Sequence, residues 1–147
     1  MNILYDDNHW MNEALKEARK ALGRNEVPIG AVVVAKNRII ARGHNLTQML
    51  NDVTAHAEMQ AITSAAAMLG GKYLKGCILY VTVEPCLMCA GALAWSQIDR
   101  VVYGADDPKH GYHTQCEHPF HKSTIVQGGV LEEECAALMR DFFSAKR

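Results

Sequence analysis

The chain has 147 residues, 49% of them hydrophobic and 21% charged, enough for one domain that buries about 70% of its unfolded surface and unlike a disordered, collagen-like or coiled-coil sequence. Its net charge of −1 excludes a whole-surface basic field for nucleic acid but leaves room for a local basic patch. No apolar run approaches the roughly 18 residues of a membrane span, and the N-terminus shows no basic segment followed by an apolar core, so neither a membrane protein nor a signal peptide is expected.

In chain order, residues 9–22 carry Trp10, Ala14, Leu15, Ala18 and Leu22 at helical spacing, with Asn8 as a candidate cap and Gly23 as the stop. Residues 29–35 form a short β-branched run after Pro28 and predict a buried strand. A second strand, 38–43, follows after only Lys36-Asn37, so the two predict a hairpin. Residues 44–53 read as polar loop, and 55–69 as an Ala- and Met-rich helix ending at Gly70-Gly71. A strand is expected over 77–83, a helix opened by Pro85 and running to Ser96, and a strand over 98–103. A loop rich in His, Pro and Gly covers 106–121, a short strand 124–126, and a closing helix 131–145. The hairpin argues for an antiparallel edge and the later strand–helix–strand order for parallel strands, hence a mixed sheet with helices on both faces. No repeat or linker divides the chain, so residues 1–147 are expected to form a single domain.

The cysteine count is five, at 77, 86, 89, 116 and 135. An odd number without a secretory signal fits a cytoplasmic protein that uses some cysteines for metal or redox chemistry. Two clusters stand out: Thr54-Ala55-His56-Ala57-Glu58 and Glu84-Pro85-Cys86-Leu87-Met88-Cys89, each at an expected helix start. Cysteines three apart on a first helical turn share a face, and the helix N-terminus favours their thiolates. Two thiolates and an imidazole suit Zn²⁺ and leave the fourth tetrahedral position to water, whose pKa such a site lowers toward about 7. Glu58 can then move protons over the same cavity without binding the metal. A lone CxxC also suits a structural zinc site or a redox pair. No second CxxC exists to complete a four-cysteine knuckle, and thioredoxin-like proteins usually carry the pair after the first strand of a short βαβ unit with both intervening positions specialised, which leaves a redox pair as a minor alternative.

Together, His56-Ala57-Glu58 and Pro85-Cys86-Leu87-Met88-Cys89 match the H-x-E…P-C-x-x-C signature of zinc deaminases. The sequence resembles the cytidine and deoxycytidylate deaminase superfamily and, within it, the bacterial tRNA adenosine deaminases. The resemblance runs from about His9 to Ala145 and includes residues 26–32, 54–58, 79–92, 134–138 and 141–143. It implies an α/β fold, three-layer α/β/α with a five-stranded mixed sheet, and hydrolytic deamination at C6 of a tRNA wobble adenosine to give inosine and ammonia. It implies one Zn²⁺ per chain on His56, Cys86 and Cys89 with water as fourth ligand, and Glu58 as proton shuttle. Asn45 would hold the base or ribose, the Ala57 amide and Glu84 carbonyl would bind the ring and its amino group, and Val27 and Pro28 would form an apolar wall. The implied partners are a tRNA anticodon loop and a second copy of the chain in a homodimer. A free nucleobase or nucleoside such as guanine, cytosine or cytidine is the alternative substrate, and a catalytically silent zinc scaffold a third reading that the intact Glu58 opposes.

The sequence departs from that family at Val53, where Pro is common, and over residues 104–124, a segment several residues shorter and without the Gly/Ser stretch. That loop carries His110, His113, His118 and His121 with Cys116. It reads as polar loop, with a second metal site or phosphate contacts shared with Lys109 and Lys122 as alternatives. Cys77 and Cys135 are expected to be buried, Trp95 to lie in the core or a dimer interface, and one of Phe142 and Phe143 to pack while the other covers the pocket. Arg140, Lys146 and Arg147 form a basic cluster near the end of the sequence.

Overall fold

In a computed structural model, which describes residues 3–146, Lys36 and Asn37 both take left-handed backbone, with φ of 51° and 60°. That is what a two-residue hairpin turn requires. It joins β1 (Gly30–Ala35) to β2 (Arg38–His44), which pair antiparallel with Ala35 opposite Arg38. On its other edge β1 pairs antiparallel with β3 (Cys77–Val83), and β4 (Arg100–Ala105) and β5 (Ile125–Gln127) then add in parallel. The sheet has five strands in the order β2-β1-β3-β4-β5. The expected mixed sheet, antiparallel on one side and parallel on the other, is the one observed.

Helices α1 (Asp7–Gly23), α2 (Ala57–Leu69), α3 (Leu87–Ser96) and α4 (Glu132–Ala145) cover both faces. Ala31, Val33, Leu79 and Val81 meet Ala57, Ala61 and Ala65 of α2 and Leu93 of α3 on one face. Val32, Val34, Tyr80 and Val102 meet Trp10, Met11 and Leu15 of α1 and Cys135 of α4 on the other. A strand covered on both faces has no solvent side, which is why residues 31–34 are apolar without alternation. No helix among the described residues is long and apolar enough to cross a membrane.

The helix starts differ from the expected ones in an informative way. Asp6, not Asn8, caps α1, its carboxylate accepting from the His9 amide at 2.9 Å. This frees Asp7 to accept two hydrogen bonds from Arg100 of β4 and one from Tyr80 of β3. Helix α2 begins at Ala57 rather than Ala55, because the Asp52 side chain bonds the Thr54 amide and hydroxyl and holds the preceding residues in a turn. Helix α3 begins at Leu87, with Pro85 outside it and Cys86 as its N-cap. Trp95 is 85% exposed and does not belong to the core. The buried positions of α3 are Cys89, Ala90, Leu93 and Ser96, a phase that turns Trp95 outward. Strands β4 and β5 start two residues and one residue later than expected, and Ile98, expected to open β4, is a buried loop residue.

Candidate metal centre and cleft

His56 and Cys86 occupy equivalent places, the N-caps of α2 and α3, both with extended backbone and neither making a side-chain capping bond. Their side chains stand at the starts of two helices that pack against each other. Cys89 lies in the first turn of α3 and is fully buried. The imidazole Nδ1 of His56 is 3.6 Å from the Cys86 sulfur and 3.5 Å from the Cys89 sulfur. All three donor atoms lie within 4.8 Å of one another, and they are the one such His/Cys/Asp/Glu group found among the described residues. Tetrahedral zinc with bonds of about 2.3 Å to sulfur and 2.0–2.1 Å to nitrogen places S and N about 3.6 Å apart. The donor set and its spacing thus fit zinc, and three protein ligands leave a position open. The alternative of a second metal in the histidine-rich loop finds no such group there.

The electrostatics point the same way. Hydrogen bonds from Cys89 and His56 pull the Cys86 thiol down to about 4. The Cys86 sulfur in turn raises the His56 imidazole above its usual value, and Cys86 together with burial pushes Cys89 well up. Two sulfurs this close resist sharing negative charge, and a dication between them removes that conflict.

Glu58, in the first turn of α2, is 4% exposed, and burial lifts its carboxyl to about 7. A carboxyl poised near neutral pH can both take and give a proton.

The cluster opens into a cleft of about 1190 Å³, whose walls include His56, Glu58 and Cys86. Asn45, Ala57, Glu84 and Val27 also line it, whereas Pro28 is buried outside the lining and Ile29 stands there instead. Asn45 is held by its own contacts, accepting from the Thr47 amide and donating to the Val27 carbonyl. The mouth is formed by Asp106 to His110 and by α4, which contributes Arg140 and the half-exposed Phe143 while Phe142 packs inward. Lys146 also reaches the cleft, and Arg147 lies outside the described residues. Lys109 and His110 line the opening; Lys122, His118 and His121 do not.

Two buried carboxylates near this cleft escaped the sequence reading in their actual roles. Glu26, 1% exposed, accepts from the Gln48 amide at 3.0 Å and the Met49 amide at 2.8 Å, and so fastens the segment that follows Asn45. The carboxylate of Glu84 bonds the loop after β4. A charge inside the otherwise apolar stretches 26–35 and 77–85 was the available signal.

Residues 4–105 match the family model described as the cytidine and deoxycytidylate deaminase zinc-binding region. A tRNA-specific adenosine deaminase of Agrobacterium fabrum is 49% identical, with 95% of each chain covered. One of Bacillus subtilis is 47% identical over 96% of this chain and 91% of its own. A solved structure from a study of A-to-I editing by tRNA:A34 deaminases at the wobble position superposes with a TM-score of 0.82 at 47% identity, covering 88% of this chain and 98% of that one. The match spans both helix starts and the strands that carry them, and on that ground the chain belongs to the cytidine and deoxycytidylate deaminase family and is closely related to the bacterial tRNA-specific adenosine deaminases.

Proposed function

We propose that this protein is a zinc-dependent hydrolytic deaminase that converts the wobble adenosine of tRNA to inosine and releases ammonia. The observation that carries the chemistry is one cleft in which the donor atoms of His56, Cys86 and Cys89 lie within 4.8 Å beside the buried Glu58. The RNA substrate is supported by the near full-length similarity to tRNA-specific adenosine deaminases.

In this reading His56, Cys86 and Cys89 hold one zinc ion per chain and leave its fourth position to water. Zinc bound by three protein ligands supplies Lewis acidity that makes a water nucleophilic near neutral pH. Glu58 would carry one proton of this water to the purine N1 and a second, given up by the new C6 hydroxyl as the carbonyl forms, to the departing amino group. A C6–O bond forms, the C6–N bond breaks, and the carboxyl ends in the state in which it began. Asn45 holds the base or ribose, the Ala57 amide and the Glu84 main-chain carbonyl bond the ring and its amino group, and Val27 forms the apolar wall with Pro28 behind it. The target base leaves its stack to enter, and the cations at the mouth receive the flanking phosphates of the anticodon loop. We further propose that residues 1–147 act as one domain, in a homodimer, in the cytoplasm.

The test is one incubation of zinc-loaded protein with bacterial tRNA lacking inosine, beside Glu58→Ala. Wobble A-to-G conversion read by reverse transcription is expected only with the wild type. No conversion by protein confirmed to hold zinc, together with turnover of free guanine or cytidine, would replace the RNA reading with a small-molecule one. Substantial activity in Glu58→Ala would remove the proton-shuttle assignment.

A further inference from the structure

The side chain of Glu84 is fully buried. Its carboxylate accepts from the Asp107 amide at 3.0 Å, from the His113 amide at 3.0 Å, and from His113 Nδ1 at 2.6 Å. One carboxylate therefore ties together both ends of the segment from Asp107 to His113. Gly111 presses on it so closely that a Cβ there would overlap the carboxylate. Gly111 also bridges to Cys86, and the Tyr112 amide donates to the Pro85 carbonyl, so the segment is seated on the chain that leads into α3.

The fastening passes on to the cleft. Asp107, held through its amide, accepts at its own carboxylate from the Lys109 and His110 amides at 3.1 and 3.0 Å. Lys109 and His110 are lining residues of the opening. The bond from Glu84 also raises the His113 imidazole above its ordinary pKa, which favours a charged partner for the carboxylate. Half of the His113 side chain remains exposed, so its bond to Glu84 is the part of this arrangement that can be removed without opening the core.

We propose that Glu84 and His113 form a clasp that positions the rim from Asp106 to His110 and thereby sets the affinity for the RNA strand flanking the target nucleotide. Both are positioning residues in this role; neither side chain meets the reacting atoms. The inference rests on the RNA reading above for its substrate and on the geometry alone for the clasp. A rim held from beneath presents its cations at a fixed place, and loss of that order weakens binding more than chemistry.

Zinc-loaded wild type, His113→Ala and His113→Asn are compared in two measurements. Amide hydrogen exchange needs no substrate. In His113→Ala the segment 107–113 is expected to exchange roughly tenfold faster or more, with α2 and α3 unchanged, and the amide donor of His113→Asn is expected to restore protection. In steady-state deamination of an anticodon stem-loop, KM for His113→Ala is expected to rise about tenfold with kcat within about twofold, the loss of one charge-assisted hydrogen bond, and His113→Asn should recover most of it. Unchanged exchange in His113→Ala overturns the clasp. Faster exchange with unchanged KM, or a fall in kcat at constant KM, overturns its role in affinity. A wild type inert on RNA overturns the substrate reading and the affinity role with it, while the exchange measurement still decides the clasp.

Discussion

Gly43 of β2 lies under the first turns of α2, and Gly43→Ala tests whether that close approach sets the metal site. A Cβ at this position would stand 2.6 Å from the Ala57 carbonyl oxygen and 2.8 Å from the Ala61 amide nitrogen. Ordinary contact begins at 3.4 Å, so the helix must withdraw by about 0.8 Å, and both obstacles are backbone that no rotamer change can move. Ala57 is the residue after His56, whereas Cys86 and Cys89 belong to α3. The imidazole is therefore displaced relative to the sulfurs by several times the roughly 0.2 Å that a metal site tolerates. Zinc affinity is expected to fall about 10- to 100-fold, as when a group that orients a ligand is lost. Overpacking costs about 1–3 kcal/mol, and the stiffer unfolded chain returns about 0.4–1 kcal/mol. The net loss of about 0–2.6 kcal/mol corresponds to a melting temperature lower by up to about 10 °C for a chain of this size. Competition against a chromophoric chelator reads the affinity, and thermal melts with and without zinc read the stability. Gly71→Ala is the control, since a Cβ there meets nothing within 4 Å. Wild-type zinc affinity and an unchanged or higher melting temperature in Gly43→Ala would refute the reasoning.

Glu58→Gln should retain zinc, by elemental analysis, and the wild-type melt, yet lose about 10²- to 10⁴-fold in kcat on an anticodon stem-loop, the range for a positioned acid–base group. Cys86→Ala should lose zinc, and its melting temperature should no longer rise when zinc is added; a zinc-dependent rise equal to the wild type would exclude Cys86 as a ligand. Asp7→Asn removes the charged acceptor of two 2.8 Å bonds from Arg100 and a 2.7 Å bond from Tyr80, for an expected loss of about 1–3 kcal/mol near neutral pH. The Arg100 hydrogen bonds hold the Asp7 carboxyl below its ordinary value. Its contribution is thus present above the unfolded pKa of about 3.9 and lost as pH falls through the lower folded value. Urea unfolding from pH 7 into strong acid should show the gap between Asp7→Asn and wild type closing; a constant gap would assign the effect to packing.

The features that local chemistry decides were legible in the residues. Lys36-Asn37 between two β-branched runs announces a hairpin turn, and Gly70 closes α2 with a φ of 72°. What escaped was set by partners distant in sequence. Asp6 takes the α1 cap while Asp7 is committed to Arg100, 93 positions away. Trp95 sits on an apolar helix whose phase is fixed by burying Cys89 and Leu93, which no count along the helix reveals. The Glu84 carboxylate finds its donors 23 and 29 positions on. Its identity could be read as a charge in an apolar stretch, but its direction could not.

The same contrast explains why the candidate site was readable while the exact helix starts were not. The deaminase signature records residue types, and residue types determine which metal is held. Its geometry comes from the two helices beginning two residues later than propensity suggests. If His56 and Cys86 lay inside their helices, they would follow the helical phase and diverge around separate axes. As N-caps with extended backbone they project beyond the helix ends. Pro85 and the Asp52 turn impose those later starts. Helix-breaking residues ahead of the two clusters are thus what brings an imidazole and two thiols to one point, with Glu58 beside them in the first turn of α2.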